Sequence, residues 1–408
     1  MKICLASIHP RRLSGQIESL VALASELEGL GHQTRVISAF DDDVLFRRNG
    51  ASPEQHDDRG GDSPIGKLTR LLRTSRRVAA AGRDDDLIHL NLPTPAFSWL
   101  ADLVQLRSRP PMVVGYEAHL ADPLQLISGP YLRHDPPFYL PRILINNGIW
   151  GRLSRYRCQR YVVASRWQRA ELRALGVSDS RLADLPNLID RQKLRRPAGG
   201  GRGWEDVSVR RPPTVGWLGH FHHVKGVDVL LEAFGRVAER RPEARLALAW
   251  SGLGDERPIA SRIETLGLSG RVDRLGRVDV ADFLSTLDVL ALPYRLTIGQ
   301  NAFPNLVLEA MQVGVPLVTT DLPLLRELVR DGRAALLAAP GDAASLADAL
   351  ARLLDESALA AGQVAEQGAL MSGELDSGAL AGRYVELYRE VLAEQAGVLQ
   401  PRRRSASV

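Results

Sequence analysis

"TVGWLGHFHHVKGVDVLLEAF", residues 214–234, contains an apolar run, a glycine-containing loop and an amphipathic segment in direct succession. Its apolar residues first run together and then recur three and four positions apart, which predicts a strand, a loop and a helix. The loop contains Gly219, His220, Lys225 and Gly226. Glycine allows close backbone approach, and Lys225 adds charge to the positive end of the helix dipole. The loop therefore predicts an anion site, with phosphate the natural ligand; a turn glycine beside a solvated lysine is the alternative.

The same alternation of strand and helix extends along the whole chain. Further apolar β-branched runs are "KICLASI", "QTRVISAF", "LIHL", "MVVGYE", "RYVVAS", "RLALAW", "VDRLGRV", "DVLALPY" and "PLVTT". Amphipathic helical patterns lie between them, for example Gln16 to His32. Alternation of this kind predicts parallel sheets joined by crossover helices. The fold class expected is α/β, with two Rossmann-like doubly wound domains that face one another across a ligand cleft.

Changes in composition suggest the domain boundaries. Arg191 to Pro213 is rich in Gly, Pro and Arg, and the alternation restarts directly after it. We interpret residues 1–190 as an N-terminal Rossmann-like domain, 191–213 as a linker and 214–377 as a C-terminal Rossmann-like domain. A helix over about 378–396 is expected to pack back on the first domain, and 397–408 form a basic tail without predicted order. Asn49 to Pro64 is interpreted as a polar loop.

Composition excludes several classes of protein. The chain has 408 residues, 45% hydrophobic and 25% charged, and contains no apolar stretch long enough to span a bilayer. The start is interpreted as a first strand, not a signal peptide, so we expect a cytoplasmic protein. Cys4 and Cys158 are too isolated for a disulfide framework or a zinc site. Residues 1–210 carry a net charge of +8 and residues 211–408 one of −4. Nucleic acid is not favoured, because no zinc-finger or RNP-like motif accompanies the basic residues.

A second anion site is predicted in "LPYRLTIGQNAFPNLVLEAM", residues 292–311. A strand ends near Pro293, a loop follows, and a helix begins around Asn305. Free N–H groups in the first helical turn would point into the same cleft as the Lys225 loop. Glu309 lies about one turn into this helix, where its carboxylate can accept hydrogen bonds from two vicinal hydroxyls. A favourable charge near a helix N-terminus is the simpler explanation of Glu309.

Together these motifs resemble the C-terminal half of the retaining family 4 glycosyltransferases of the GT-B fold, glycosyl transferases group 1. The resemblance rests on Lys225-Gly226, the glycines of "WSGLGDE", "RVDRLGRV" ending at Val278, Glu309-Ala310-Met311 and Gly314-Val315-Pro316. It is dense from Thr214 to about Leu354. Two positions depart from the family pattern: Asn301 stands where the family has its first Glu, and His220 stands where it has Arg.

The N-terminal half resembles the same family more loosely. "SGQIESLVALASELEGLGHQTRVIS" matches the family's glycine loop and first helix, and "VVGYEAH" matches the strand that ends in a cleft histidine, here His119. "YVVASRWQRAELRALG" leads on to Pro186, Asn187 and Asp190. The resemblance therefore spans nearly the whole chain.

The resemblance implies a sugar transferase that needs no metal and no cofactor beyond its nucleotide-diphosphate sugar. The implied hydroxyl acceptor is a glycan, a small molecule or a lipid-linked sugar. Retention implies front-face attack, in which the leaving diphosphate takes the acceptor proton and His119 orients the donor or the acceptor. The alternative interpretation of His119 is a hydrogen-bonded loop histidine. The implied catalytic residues are His119, Asn301 and Lys225. The implied acceptor-binding residues are Arg11, Arg12 and His119. The implied donor-binding residues are Gly15, Gly219, His220, Lys225, Gly252, Val278, Asn301, Ala302, Phe303, Leu306, Val307 and Glu309.

One segment suggests peripheral contact with the inner face of a membrane. "PPFYLPRILINNGIWGRLSRYRCQRY" combines large apolar side chains with five arginines. Packing of its apolar side chains on the sheet, with only the arginines exposed, is the alternative.

Two other functions of the chain stay open: a non-catalytic sugar-nucleotide or glycan-binding relative, which Asn301 favours, and a dehydrogenase, which the absence of Gly-x-Gly-x-x-Gly disfavours. His222 and His223 lack a third ligand in a metal-binding spacing.

Overall fold

The computed structural model describes residues 1–9, 15–38, 64–129, 131–194, 212–297 and 303–397. By their internal contacts these residues form two units. Unit 1 contains the residues up to Asp190 together with those from Ser377 onward, and unit 2 contains Arg191–Asp376. The predicted linker, the loop at 49–64 and the C-terminal tail lie largely outside the described residues.

Unit 1 is built on one parallel sheet with the strand order β2-β1-β3-β4-β5-β6. Its strands are β1 (Lys2–Ser7), β2 (Gln33–Ser38), β3 (Leu87–Leu92), β4 (Met112–Tyr116), β5 (Arg160–Val163) and β6 (Leu182–Asp184). Its first helices are α1 (Gly15–Gly29), α2 (Pro64–Ala81), α3 (Ser98–Gln105), α4 (Pro123–Ser128), α5 (Tyr131–His134), α6 (Pro136–Leu144), α7 (Gly148–Arg152) and α8 (Arg166–Ala174). Strand order reverses between β1 and β3, where doubly wound sheets bind ligands.

Two apolar layers cover the sheet of unit 1. One layer includes Ile3 and Leu5 of β1, Leu23 of α1, and Leu380 and Tyr388 from the C-terminal helix Ser377–Gln395. The other packs the opposite face of the sheet on α2, α3 and α8. Because the central strands β1, β3 and β4 are buried on both faces, they are nearly continuous apolar runs, whereas the first four residues of the edge strand β2 are exposed or half-buried. This explains why short apolar runs identified them in the sequence.

Unit 2 is built on a second parallel sheet with the strand order β12-β11-β10-β7-β8-β9. Its strands are β7 (Thr214–Phe221), β8 (Arg245–Gly254), β9 (Val272–Leu275), β10 (Val289–Leu292), β11 (Leu317–Thr320) and β12 (Leu336–Ala338). The remaining helices are α9 (Val227–Arg240), α10 (Arg257–Thr265), α11 (Val280–Ser285), α12 (Asn305–Val313), α13 (Pro323–Leu328), α14 (Ala343–Asp355), α15 (Ser357–Ser372) and, in unit 1, α16 (Ser377–Gln395).

The strand order of unit 2 reverses between β7 and β10, which pair in parallel with Val215 opposite Val289. At such a switch point the connections leave the sheet in opposite directions and open a crevice at the carboxyl ends of the strands. The Lys225 loop follows β7, and the loop that leads to Glu309 follows β10. The topology therefore brings the two predicted anion sites to one edge of one sheet.

The predicted α/β fold class is confirmed by these two six-stranded parallel sheets with their helices. The ten predicted runs each contain a strand, but the edge strands β6 and β12 were missed. Each is only three residues long, too short to show a periodic pattern. No helix in the described ranges is long and apolar enough to cross a membrane.

Candidate functional site

Gly226 forms the turn that connects β7 to α9. The turn residues His223–Lys225 form one 3-10 turn, and Gly226 follows with φ of +66° in the left-handed region. A Cβ at Gly226 would lie 2.0 Å from the carbonyl oxygen of Pro293, which no side chain can accommodate. Glycine is required here because the turn packs directly against the end of β10. The fold therefore holds Lys225 beside the loop after β10.

Lys225 and Glu309 both lie close to Tyr294. The Lys225 Nζ atom is 4.9 Å from the centre of the Tyr294 ring, within the range of a cation–π interaction. Burial raises the pKa of Tyr294, and the negative charge of Glu309 raises it further. Tyr294 itself is only 3% exposed, whereas Lys225 and Glu309 are half-buried. The charges of a cation and of an anion thus both act on one buried ring at the switch point of unit 2.

Arg295 holds the Lys225 turn from the β10 side. Its backbone N–H donates to the carbonyl of Val224 at 3.0 Å, and its Nη2 lies 2.6 Å from Asp228 Oδ2. Its Nη1 contacts the ring of His223 at 3.3 Å. His222 accepts a hydrogen bond from the Val224 N–H through Nδ1. The adjacent histidines His222 and His223, for which the sequence offers no third metal ligand, therefore have contacts that stabilise the turn.

A second group of contacts joins the carboxyl-terminal ends of β7 and β8 to Arg277, which follows β9. His220 Nδ1 is hydrogen-bonded to Ser251 Oγ, and Arg277 Nε donates to the Ser251 carbonyl at 3.1 Å. Arg277 nitrogens lie 3.7 Å from the position that a Cβ of Gly252 would take. Gly252 has φ of +89°, so a glycine relieves strain there. Val278 follows Arg277 directly, and Gly219, beside His220, packs against Trp217.

The start of α12 differs in detail from the sequence prediction. Pro304 is the N-cap residue, and the N–H of Val307 donates to its carbonyl at 3.0 Å. The prediction of Leu306 and Val307 as a pair of free amides is therefore wrong for Val307. In the described ranges the Leu306 N–H donates to no backbone oxygen. The side chains of Phe303 and Val307 are buried, so these two residues anchor the start of α12 in the interior of unit 2.

Unit 1 places His119 just beyond the end of β4. Its Nδ1 lies 3.2 Å from Glu171 Oε1, and its Nε2 lies 3.4 Å from Ser165 Oγ. His119 is 6% exposed. A second histidine of unit 1 pairs with a carboxylate two residues before His119: His9 Nε2 lies 3.1 Å from Glu117 Oε2. Gly15 is the first residue of α1, after β1.

Four predicted site residues lie outside the described residues, namely Arg11, Arg12, Asn301 and Ala302. The structure places Lys225 against the Tyr294 ring, where the charge of Glu309 also acts, and it brings His220 and Gly252 together at Ser251 and Arg277. His119 and Gly15 belong to the other unit. Within the described ranges, no cluster of three His, Cys, Asp or Glu side chains could hold a metal ion.

Sequence reasoning missed the residues that support the site: Tyr294, Arg295, Asp228, Ser251, Arg277 and Glu171. Their roles depend on contacts between loops that are far apart in the chain, and a local pattern does not reveal such contacts. For Tyr294 a signal did exist. An aromatic residue directly after the apolar run of β10 stands at the carboxyl end of a strand, where ligand-binding loops begin.

Family models match both halves of the chain. The model described as Glycosyltransferase Family 4 matches residues 13–193, and the model described as Glycosyl transferases group 1 matches residues 212–356. A phosphatidyl-myo-inositol mannosyltransferase of Mycobacterium leprae is 28% identical over 408 residues. That alignment covers 96% of this chain and 97% of the relative.

Solved structures with the same fold include Anabaena Alr3699/HepE in complex with UDP and glucose. The TM-score is 0.68 at 19% identity, covering 96% of this chain and 100% of that one. Sucrose-phosphate synthase from Thermosynechococcus elongatus has a TM-score of 0.72 at 19% identity, with 96% and 99% covered. At 19% identity, this similarity shows that the chains share a fold.

Proposed function

The chain belongs to the family 4, group 1 glycosyltransferases with the GT-B fold, and on that premise we propose the reaction and its substrates. The reaction is transfer of a sugar from a nucleotide-diphosphate donor to a hydroxyl acceptor, with retention at the anomeric carbon and without a divalent metal. The observation that carries this proposal is that Tyr294, at the switch point of unit 2, contacts the Lys225 ammonium with its ring, while the negative charge of Glu309 raises the pKa of the same tyrosine. A cation and a carboxylate that both act on one residue suit the diphosphate and the pentose of one nucleotide.

The donor is proposed to lie along the carboxyl edge of the unit 2 sheet. Lys225 and the Leu306 N–H bind the diphosphate, since a helix N-terminus and an ammonium both attract phosphate. Glu309 accepts hydrogen bonds from the ribose hydroxyls. His220 and Arg277 continue the site toward the ends of β8 and β9, and the nucleotide base is proposed to lie there, beside Gly252 and Val278.

In the proposed reaction the bond between the anomeric carbon and the phosphate oxygen breaks as the acceptor oxygen bonds to the same face. The acceptor proton passes to the departing phosphate oxygen, so protons and charge balance without a separate base. Lys225 and the start of α12 stabilise the negative charge that develops on the diphosphate. These fixed cationic groups would do in this site what a divalent ion does in others.

The acceptor is proposed to be a lipid-linked polyol. The mycobacterial relative, which aligns along nearly its whole length, is named for phosphatidyl-myo-inositol. In unit 1, His119 lies at the end of β4, and its Nε2 has only a long contact with Ser165. A histidine at this position can orient an acceptor hydroxyl.

A surface of unit 1 supports contact with a lipid membrane. Of the 14 exposed large apolar side chains in the described residues, eight lie on or beside α4, α6 and α7: Leu124, Ile127, Leu140, Leu144, Ile145, Ile149, Trp150 and Leu153. The segment 123–160 contains six arginines and one acidic residue, Asp135. The alternative from the sequence, burial of the apolar residues of segment 136–161, does not hold for the six of these eight that belong to it, although Tyr139 is buried. Apolar anchors among arginines suit an anionic bilayer.

Sedimentation with vesicles tests the membrane contact. The protein should bind vesicles that contain phosphatidylglycerol and bind phosphatidylcholine vesicles much more weakly. The double variant Ile149→Ser with Leu153→Ser should lose most of this binding, whereas Leu275→Ser, an exposed leucine of unit 2, should not. Equal binding by both variants would contradict the proposed contact.

Donor turnover tests the reaction itself. Nucleotides UDP, GDP, ADP and dTDP are first ranked by the rise in melting temperature that each produces. Sugar transfer to phosphatidylinositol in vesicles is then measured with the matching donors, and the anomeric configuration of the product is determined by NMR. Transfer with retention, unaffected by EDTA, supports the proposal. Tight nucleotide binding without turnover for any acceptor would instead support a non-catalytic binding protein, the alternative that Asn301 favours.

A further inference from the structure

Glu171 reaches His119 from a different element of unit 1. Glu171 lies on α8, which begins after β5, whereas His119 follows β4. The distance between Glu171 Oε1 and His119 Nδ1 is 3.2 Å. The same oxygen accepts the backbone N–H of Leu120 at 3.2 Å. One carboxylate oxygen therefore fixes both the ring of His119 and the backbone that follows it.

The chemistry of this contact selects one form of the ring. An ionised carboxylate only accepts hydrogen bonds, so the proton of a neutral His119 ring must lie on Nδ1. Nε2 then carries a lone pair. Its neighbour Ser165 Oγ is 3.4 Å away, long for a hydrogen bond from a hydroxyl, and already accepts the Gln168 N–H at 3.2 Å. A substrate hydroxyl could therefore replace Ser165 as the donor to Nε2 at little cost.

Only one of the two carboxylate oxygens of Glu171 has hydrogen-bond partners in the described part of the chain. Its side chain is 22% exposed, yet its second oxygen, Oε2, is buried without a hydrogen-bond partner in the described part of the chain. An unsatisfied buried carboxylate oxygen costs free energy. A glutamine could accept the same two hydrogen bonds through its carbonyl oxygen and would carry no charge.

We propose that Glu171 is the positioning residue of His119: it fixes the Nδ1-protonated tautomer and leaves Nε2 to accept a hydrogen bond from a substrate hydroxyl. This inference rests on the proposed function, in which His119 contacts a substrate. It identifies the tautomer and the partner residue, neither of which follows from the position of His119 alone. The substrate hydroxyl belongs to the acceptor or to the transferred sugar, both of which are polyols.

The tautomer can be observed directly in the full-length protein labelled with ¹⁵N-histidine. Long-range ¹H–¹⁵N correlation spectra distinguish a protonated from an unprotonated ring nitrogen, and the His119→Gln variant identifies the signals. We expect Nε2 of His119 to be unprotonated in the wild type and in Glu171→Gln. In Glu171→Ala the ring should become a mixture of tautomers. Arg173→Ala, at an exposed position on the same helix, should keep the wild-type spectrum.

Kinetics separate positioning from a purely structural role. Glu171→Ala should lower kcat for donor hydrolysis by at least about tenfold with little change in KM, because a misprotonated ring fails in the reacting complex. Glu171→Gln should restore most of the rate. UDP-glucose and GDP-mannose serve as donors.

Three results would overturn the inference: a proton on Nε2 in the wild type, an unchanged tautomer in Glu171→Ala, or a kcat in Glu171→Gln as low as in Glu171→Ala. The spectrum of the wild type decides even if the alanine variant does not fold. If no donor is turned over, the proposed function fails, while the spectra still decide whether Glu171 sets the tautomer.

Discussion

The ammonium group of Lys225 lies 4.9 Å from the centre of the ring of Tyr294, a residue that follows β10 and is 3% exposed. The two residues are 69 positions apart in the chain. They meet because β7 and β10 are neighbours at the point where strand order reverses. A flexible lysine side chain loses conformational entropy when it binds an anion, and a ring that already restrains it reduces that cost.

Replacement of Tyr294 should therefore weaken nucleotide binding. Tyr294→Leu removes the ring and should raise the Kd for a nucleoside diphosphate by roughly 3- to 10-fold, as expected for a partly desolvated cation–π contact. Tyr294→Phe keeps the ring and should bind like the wild type. Titration calorimetry on folded protein gives both values. Equal affinities for the leucine and phenylalanine variants would show that the ring does not position Lys225.

Arg277 should contribute to nucleotide binding through its charge. Its Nε is held by the Ser251 carbonyl, and no acidic side chain in the described residues pairs with it. Arg277→Gln should raise the Kd by roughly 3- to 10-fold at low salt, and the effect should shrink at about 1 M salt, where charges are screened beyond about 3 Å. Arg274→Gln is the control, because Arg274 is paired with Glu256 at 3.0 Å. Equal effects of the two substitutions would argue against a specific role of Arg277.

Gly226 should be intolerant of any side chain. Gly226→Ala places a Cβ 2.0 Å from the Pro293 carbonyl oxygen in a left-handed backbone conformation, and should cost roughly 3 kcal/mol or more of folding free energy. Gly235→Ala is the matched control, because Gly235 lies inside α9 with nothing within 4 Å of its added Cβ. That change should stabilise by about 0.5–1 kcal/mol. Denaturant unfolding measures both; a neutral Gly226→Ala would contradict the described turn.

Features that depend on residues close together in the chain could be predicted from the sequence, whereas contacts between distant loops could not. The stretch 214–234 encodes strand, turn and helix in local patterns, so β7, the position of Lys225 and α9 could be predicted. A turn glycine at 226 is the alternative that the sequence offers beside an anion site, but the contact of Gly226 with Pro293 requires the tertiary structure. The Tyr294 ring, the Arg295 contacts and the Ser251 contacts likewise join loops that only the sheet topology brings together.

The error at Val307 has a local physical cause. Helix starts leave amides unpaired on average, but the first turn of α12 tightens so that Val307 donates to Pro304. Proline at the N-cap fixes its own φ and sets this geometry. Similarly, the sequence of segment 136–161 fits both burial of its apolar side chains and their exposure at a membrane. Its pattern contains enough apolar residues for both, and the structure buries Tyr139 while it exposes Leu144 and Ile149.

Buried His89 should make unit 1 sensitive to acid. His89 is 2% exposed, its Nδ1 lies 2.6 Å from Tyr388 Oη, and burial lowers its pKa from 6.5 to about 4. The unfolded chain binds a proton more tightly than the folded one, so stability is lost as the pH falls from about 6.5 to about 4. Between pH 7 and pH 5 the loss from this residue should be about 2 kcal/mol.

Urea unfolding at the two pH values measures this loss. The double variant His89→Leu with Tyr388→Phe removes the titrating ring and the hydroxyl that would lose its partner. It should show a pH dependence smaller than the wild type by about 2 kcal/mol. An identical pH dependence in the two proteins would mean that His89 is not held in its neutral form.

The most direct measurement is a crystal structure of the full chain with UDP or GDP, whichever raises the melting temperature more. The account predicts that the diphosphate lies within hydrogen-bonding distance of Lys225 Nζ and the Leu306 N–H, and that the Glu309 carboxylate accepts hydrogen bonds from the ribose. A nucleotide bound elsewhere, or bound at this edge of the sheet with Lys225 and Glu309 both out of contact, would contradict it.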